Sequence, residues 1–68
     1  MKDFAERLKE LRQEQNVSRE TLAKKINVSS SAIRHWENQI REPAARHIIT
    51  MAQFFGVSAD YLLGLRDN

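Results

Sequence analysis

Apolar residues along this chain fall into short helical stripes separated by polar corners. Residues 3–15 place Phe4, Leu8 and Leu11 at i, i+4 and i+7, one face of a helix, with Glu10, Gln13 and Glu14 on its solvated side. Asp3 with Glu6 reads as a capping box at its start. Residues 43–55 carry a second stripe of Ala45, Ile48, Ile49, Ala52 and Phe55, opened by Pro43 in a first turn and closed by Gly56 just past the end. A hinge recurs three times: Asn16-Val17-Ser18, Asn27-Val28-Ser29 and Gly56-Val57-Ser58, each with an aliphatic residue four places beyond its serine (Leu22, Ile33, Leu62). Asn or Gly tolerates the left-handed backbone that ends a helix, and Ser caps the next one. Val packs on the fourth helical residue as a hydrophobic staple. Three hinges and the Pro43 start predict five helices in an all-α fold. The first two hinges lie eleven residues apart, so the helix 18–26 has only two turns and its successor, 29–38, begins at once. Helices joined that tightly form a helix-turn-helix corner at about 18–38. The plainer alternative is a helical bundle with no special corner.

Composition narrows the classes. Sixty-eight residues suit a single domain, 1–68. A chain of this length buries only ~60% of the surface exposed when unfolded. With no cysteine, and with His35 and His47 too few for a structural zinc site, stability rests on packed helices alone or on helices and a partner chain. The absence of cysteine fits a reducing cytoplasm. A hydrophobic share of 41% is too high for disorder, and apolar runs as short as Ile48-Ile49 and Phe54-Phe55 cannot span a bilayer. Met1-Lys2-Asp3-Phe4 lacks the apolar core of a signal peptide. The net charge of +2 is unevenly spread: residues 1–20 are neutral, 21–47 carry +3 and 48–68 carry −1. The positive middle is where a partner is expected.

That middle holds the predicted helix 29–38. Val28, Ile33 and Trp36 face the core, while Ser30, Ser31, Arg34 and His35 face outward, and none of these four is acidic. Slim leading residues let a helix enter the major groove of DNA. Arg can bond guanine O6 and N7 together, Ser accepts several base edges, and His can donate to a base or a phosphate. The same face could also serve solubility alone; its place just after a tight corner favours the DNA reading.

From Phe4 to Leu65 the chain resembles the Cro and repressor-type (XRE, lambda-repressor-like) helix-turn-helix domains. The strings that carry the resemblance are Arg7-Leu8-Lys9-Glu10-Leu11-Arg12, Thr21 through Ser29, Trp36-Glu37-Asn38, and Gly56 through Leu63. The resemblance implies a compact five-helix domain whose third helix enters the major groove, usually as a dimer. It assigns base reading to Ser30, Ser31, Arg34 and His35, and phosphate contacts to Ser18, Arg19, Asn38 and Arg41. It also implies a partly buried ion pair between Arg12 and Glu37, tying helix one to the end of helix three. Three positions depart from the family pattern. Arg19 stands where glutamine is common, which favours stronger phosphate attraction. Gln39 stands where glycine is common, so a left-handed turn there would be strained. Ala44 stands where a serine or threonine cap is common, so helix four begins either at Glu42 with Pro43 in its first turn or without a side-chain cap.

The expected function is sequence-specific binding of double-stranded DNA. It implies a transcriptional regulator, more plausibly a repressor, acting in the cytoplasm at the nucleoid as a homodimer on a palindromic operator. No cofactor, membrane or small-molecule substrate is expected. Catalysis is disfavoured because His35 and Glu37, two apart on a helix, do not face each other, and no glycine-rich phosphate loop exists. His47 is expected at the surface or near a phosphate. A membrane-surface role is disfavoured because helix four offers only Arg46 and His47 as basic groups. The alternative is a protein-binding module on the same scaffold, an antitoxin or adaptor. Most of the apolar tail, Tyr61, Leu62, Leu63 and Leu65, is expected to pack on helix one; the rest could form a dimer seam with Phe54 or Phe55.

Overall fold

A left-handed residue followed by a backward-reaching amide closes every helix of this chain. The computed structural model describes residues 2–67, folded as α1 (Lys2–Glu14), α2 (Arg19–Ile26), α3 (Ser30–Glu37), α4 (Ala45–Phe55) and α5 (Ala59–Leu62). Asn16, Asn27, Gln39, Gly56 and Gly64 take positive φ of 55°, 61°, 61°, 73° and 82°. The next amide then donates to a carbonyl five residues back: Val17 to Arg12, Val28 to Ala23, Ile40 to His35, Val57 to Ala52 and Leu65 to Asp60, at 2.8 to 3.0 Å. This is the Schellman closure, which satisfies carbonyls a helix end would otherwise leave open.

Three of these closures double as starts. Ser18, Ser29 and Ser58 accept from the amides of Thr21, Ala32 and Tyr61 at 3.0, 3.1 and 2.9 Å. Val17, Val28 and Val57 pack against the core, and Leu22, Ile33 and Leu62, the fourth residues of the helices they staple, are fully buried. Each valine thus ends one helix with its amide and anchors the next with its side chain. The hinges behave as the sequence predicts.

The starts of α1 and α4 differ from expectation. Helix α1 already includes Lys2, so Asp3 lies within its first turn and is not its cap. There its carboxylate favours the positive end of the helix dipole. Helix α4 begins at Ala45, with Ala44 as an N-cap that makes no side-chain hydrogen bond, so Pro43 precedes the helix instead of opening it. The uncapped start is the outcome.

The core joins Phe4, Leu8 and Leu11 of α1 to Leu22 and Ile26, Ile33 and Trp36, Met51 and Phe55, and Leu62. Met51 is fully buried, whereas Ile49, expected in the stripe, is 52% exposed. Ile49 lies about 100° around the helix from the buried Ile48 and turns outward, and Met51, three beyond Ile48, completes the stripe. Helix α1 packs on α3 and α5, α2 packs on α3 and α4, and α4 packs on α5. Arg7 fastens the tail: its Nη1 donates to the carbonyls of Tyr61 at 2.9 Å and Arg66 at 2.7 Å, and its guanidinium lies 4.3 Å from the Tyr61 ring centre. Phe55 is buried, which removes it from any dimer seam, while Phe54 is half-buried with its ring edge-on to Phe55.

The two left-handed positions outside the hinges should respond oppositely to substitution. A left-handed conformation costs a non-glycine residue ~1–2 kcal/mol, so Gln39→Gly should raise unfolding stability by ~0.5–1 kcal/mol after the added chain entropy is subtracted. A Cβ on Gly64 would lie 2.5 Å from the Asp3 Cβ, so Gly64→Ala adds a clash to the backbone strain. It should lower stability by more than ~1 kcal/mol. Urea unfolding followed by helical circular dichroism checks both; equal effects would contradict the assignment.

Candidate nucleic-acid interface

The corner is built from two helices of eight residues, α2 and α3, separated only by Asn27, Val28 and Ser29. Because Leu22, Ile26, Ile33 and Trp36 turn inward, the opposite faces of both helices meet solvent on the same side of the corner. Ser30, Ser31 and Arg34 are exposed on α3, and His35 is half-buried. Ser29 is spent on capping, so the small hydroxyls of Ser30 and Ser31 lead the exposed first turn.

An open cleft of about 410 Å³ runs between the start of α2 and this face, lined by Arg12, Ser18, Arg19, Glu20, Ser30 and Arg34. It brings together two expected phosphate residues, Ser18 and Arg19, with two expected base readers, Ser30 and Arg34. Ser31, His35, Asn38 and Arg41 lie outside its lining; Asn38 and Arg41 are exposed beyond the end of α3. Glu20 was not among the expected site residues and adds an acidic group to the cleft. The Ser18 hydroxyl is already engaged, accepting from the Thr21 amide and donating to the Thr21 hydroxyl at 2.9 Å.

Behind the cleft sits Glu37, 1% exposed, on the last turn of α3. Its Oε2 accepts from Arg12 Nε at 2.5 Å, and its Oε1 accepts from Arg12 Nη2 at 3.0 Å, a bidentate pair. Arg12 Nη1 also donates to the Val17 carbonyl at 3.1 Å. The structure therefore contains the ion pair implied by resemblance. It also contains a second one: Arg19 Nε donates to Glu37 Oε1 at 3.0 Å, with Arg19 Nη2 equally close. The side chain of Arg19 is 40% exposed, against 13% for Arg12. Two guanidiniums on one carboxylate leave a net charge of +1 facing the cleft. Nothing local could reveal this second bond, which links residues 18 apart through the corner itself.

His47, expected at the surface or near a phosphate, is half-buried on α4, its ring centre 5.3 Å from that of Trp36, and among the described residues its buried Nδ1 has no hydrogen-bond partner. Lys24, Lys25, Arg41 and Arg46 are exposed.

A helix-turn-helix family model matches residues 8–62. The chain is 32% identical over 65 residues to the uncharacterised HTH-type transcriptional regulator YobD of Bacillus subtilis, covering 96% of this chain and 58% of that protein. It is 32% identical over 61 residues to the HTH-type transcriptional regulator ImmR of the same organism, covering 90% of this chain and 48% of ImmR. The chain thus spans about half the length of these regulators. Its fold matches the P22 c2 repressor, crystallised in complex with synthetic operator 9T, with a TM-score of 0.86 and 28% identity over 93% of this chain and 96% of that one.

The geometry around Glu37 orders three substitutions by stability. Glu37→Ala strands two guanidiniums and removes the tie among α1, α2 and α3, so it should cost ~3–5 kcal/mol. Arg12→Ala, which leaves Glu37 with Arg19 alone, should cost less than Glu37→Ala. Arg19→Gln removes a half-exposed partner and should cost no more than ~1 kcal/mol. Urea midpoints check the order, and an Arg19 variant as damaging as the Glu37 one would contradict it.

Proposed function

This chain belongs to the helix-turn-helix family, and on that premise we propose that it binds double-stranded DNA sequence-specifically and regulates transcription, as a repressor. Helix α3 enters the major groove. Ser30, Ser31, Arg34 and His35 meet base edges, while Ser18, Arg19, Asn38 and Arg41 meet phosphates and fix the register. The observation that carries this reading is the cleft at the corner, where Ser18 and Arg19 stand beside Ser30 and Arg34. One solvent-facing surface thus offers a phosphate-binding arginine and a base-reading arginine side by side. The likeness to a repressor crystallised on its operator adds support. The working unit is a homodimer on a palindromic operator, its half-site centres about one helical turn, roughly 10 base pairs, apart. The protein acts in the cytoplasm at the nucleoid; among the described residues no helix is long and apolar enough to cross a membrane. The reading requires no cofactor and no catalytic step.

Selection of bound sequences from random duplex DNA, combined with native mass measurement of the complex, tests this directly. A palindrome carrying two chains is the expected result. No enrichment would move the function to protein binding, for which exposed Ile40, Ile49 and Leu65 are the available apolar groups. On the selected site, Arg34→Ala should cost ~1–3 kcal/mol and relax the base preference at one position. Equal losses on selected and random DNA would remove Arg34 from base reading.

A further inference from the structure

Arg19 combines the exposure that any phosphate contact needs with a bond that a simple phosphate contact would not need. It is half-exposed in the cleft, and its Nε edge is bonded to a carboxylate that is itself buried. Glu37 does not need Arg19 for neutrality, because Arg12 already engages both carboxylate oxygens. With one negative and two positive charges in the cluster, Arg19 keeps a full unit of charge to offer. A guanidinium carries five N–H donors in a rigid plane. The Nε and Nη2 edge faces Glu37, and among the described residues the Nη1 end has no partner.

We infer that Glu37 is a positioning residue of the DNA site: it fixes the Nε edge of Arg19 so that the opposite end of the guanidinium is presented, already oriented, to a backbone phosphate. This rests on the DNA-binding reading above. The carboxylate and the phosphate are held by one planar group at once, with Arg19 remaining on Glu37 in the complex. The ion-pair cluster is then both a tie between helices and the base of the phosphate clamp. Glutamine at position 19 would supply a neutral donor without the charge. Lysine would supply the charge as a single point on a flexible stem, unable to span both anions with fixed geometry.

The test compares wild type, Arg19→Gln and Arg19→Lys on a random-sequence duplex across a salt series, with helical circular dichroism to confirm that each is folded. Arg19→Gln should weaken binding and reduce the slope of log affinity against log salt by about 0.9, one phosphate's worth. Arg19→Lys should keep the wild-type slope yet bind about three- to tenfold more weakly, because charge is retained and orientation is lost. In wild type, the Arg19 Nε–H signal in NMR spectra should stay protected from exchange when duplex is added. Wild-type affinity in Arg19→Lys, an unchanged slope in Arg19→Gln, or loss of Nε–H protection on binding would each overturn the inference while leaving DNA binding intact. Failure of the wild type to bind any duplex would instead overturn the DNA-binding reading, and the inference with it.

Discussion

A carboxylate with 1% of its surface exposed can keep its charge only if neighbouring groups replace the water it has lost, and Glu37 is such a group. Its partners come from separate helices. Arg12 reaches in from α1 with two hydrogen bonds, and Arg19 reaches in from the first turn of α2 with a third. Glu37 itself ends α3. One buried charge therefore fixes the two helices of the corner, α2 and α3, relative to each other and to α1. Apolar packing of Leu22, Ile33 and Trp36 supplies attraction without direction. The guanidinium and carboxylate planes supply direction, because bidentate geometry tolerates little rotation.

The rest of the fold is local chemistry repeated. Schellman closures end all five helices, and three serine caps with valine staples start α2, α3 and α5. That density of caps suits a 68-residue chain without disulfides, in which a small core leaves a narrow stability margin. The exceptions cluster around the loop after α3. Gln39 takes a left-handed conformation without glycine's freedom, and α4 starts on Ala44 with no side-chain cap. Just beyond the proposed reading helix, backbone preference and sequence thus disagree.

Much of this was legible before the structure, and the reason is range. The hinges at Asn16, Asn27 and Gly56 are written in three consecutive residues each, so sequence reading finds them and the helices they separate. The outward face of α3 follows from period and from the inward direction of Ile33 and Trp36. The closures at Gln39 and Gly64 use the same geometry without the valine-serine signature; the left-handed turn at Gln39 is suggested only by resemblance to a family with glycine there, and the one at Gly64 has no local sign. Met51 displaced Ile49 from the core because an Ile-Ile pair is ambiguous in phase until a third position is fixed. The Arg12–Glu37 pair was accessible only through family resemblance. The Arg19–Glu37 bond and the Arg7 hold on the tail depend on contacts that local spacing does not encode. Glu20 joined the cleft for the same reason: its neighbours there, Ser30 and Arg34, belong to another helix.

The central claim is that the carboxylate holding the corner together also aims the phosphate contact. A crystal structure of the protein on its selected operator tests this most directly. The result expected is Arg19 Nε still within hydrogen-bonding distance of Glu37 Oε1, as at 3.0 Å in the free protein, with the far end of the same guanidinium on a phosphate oxygen. An Arg19 swung away from Glu37 to reach the DNA, or left on Glu37 with no phosphate nearby, would contradict it.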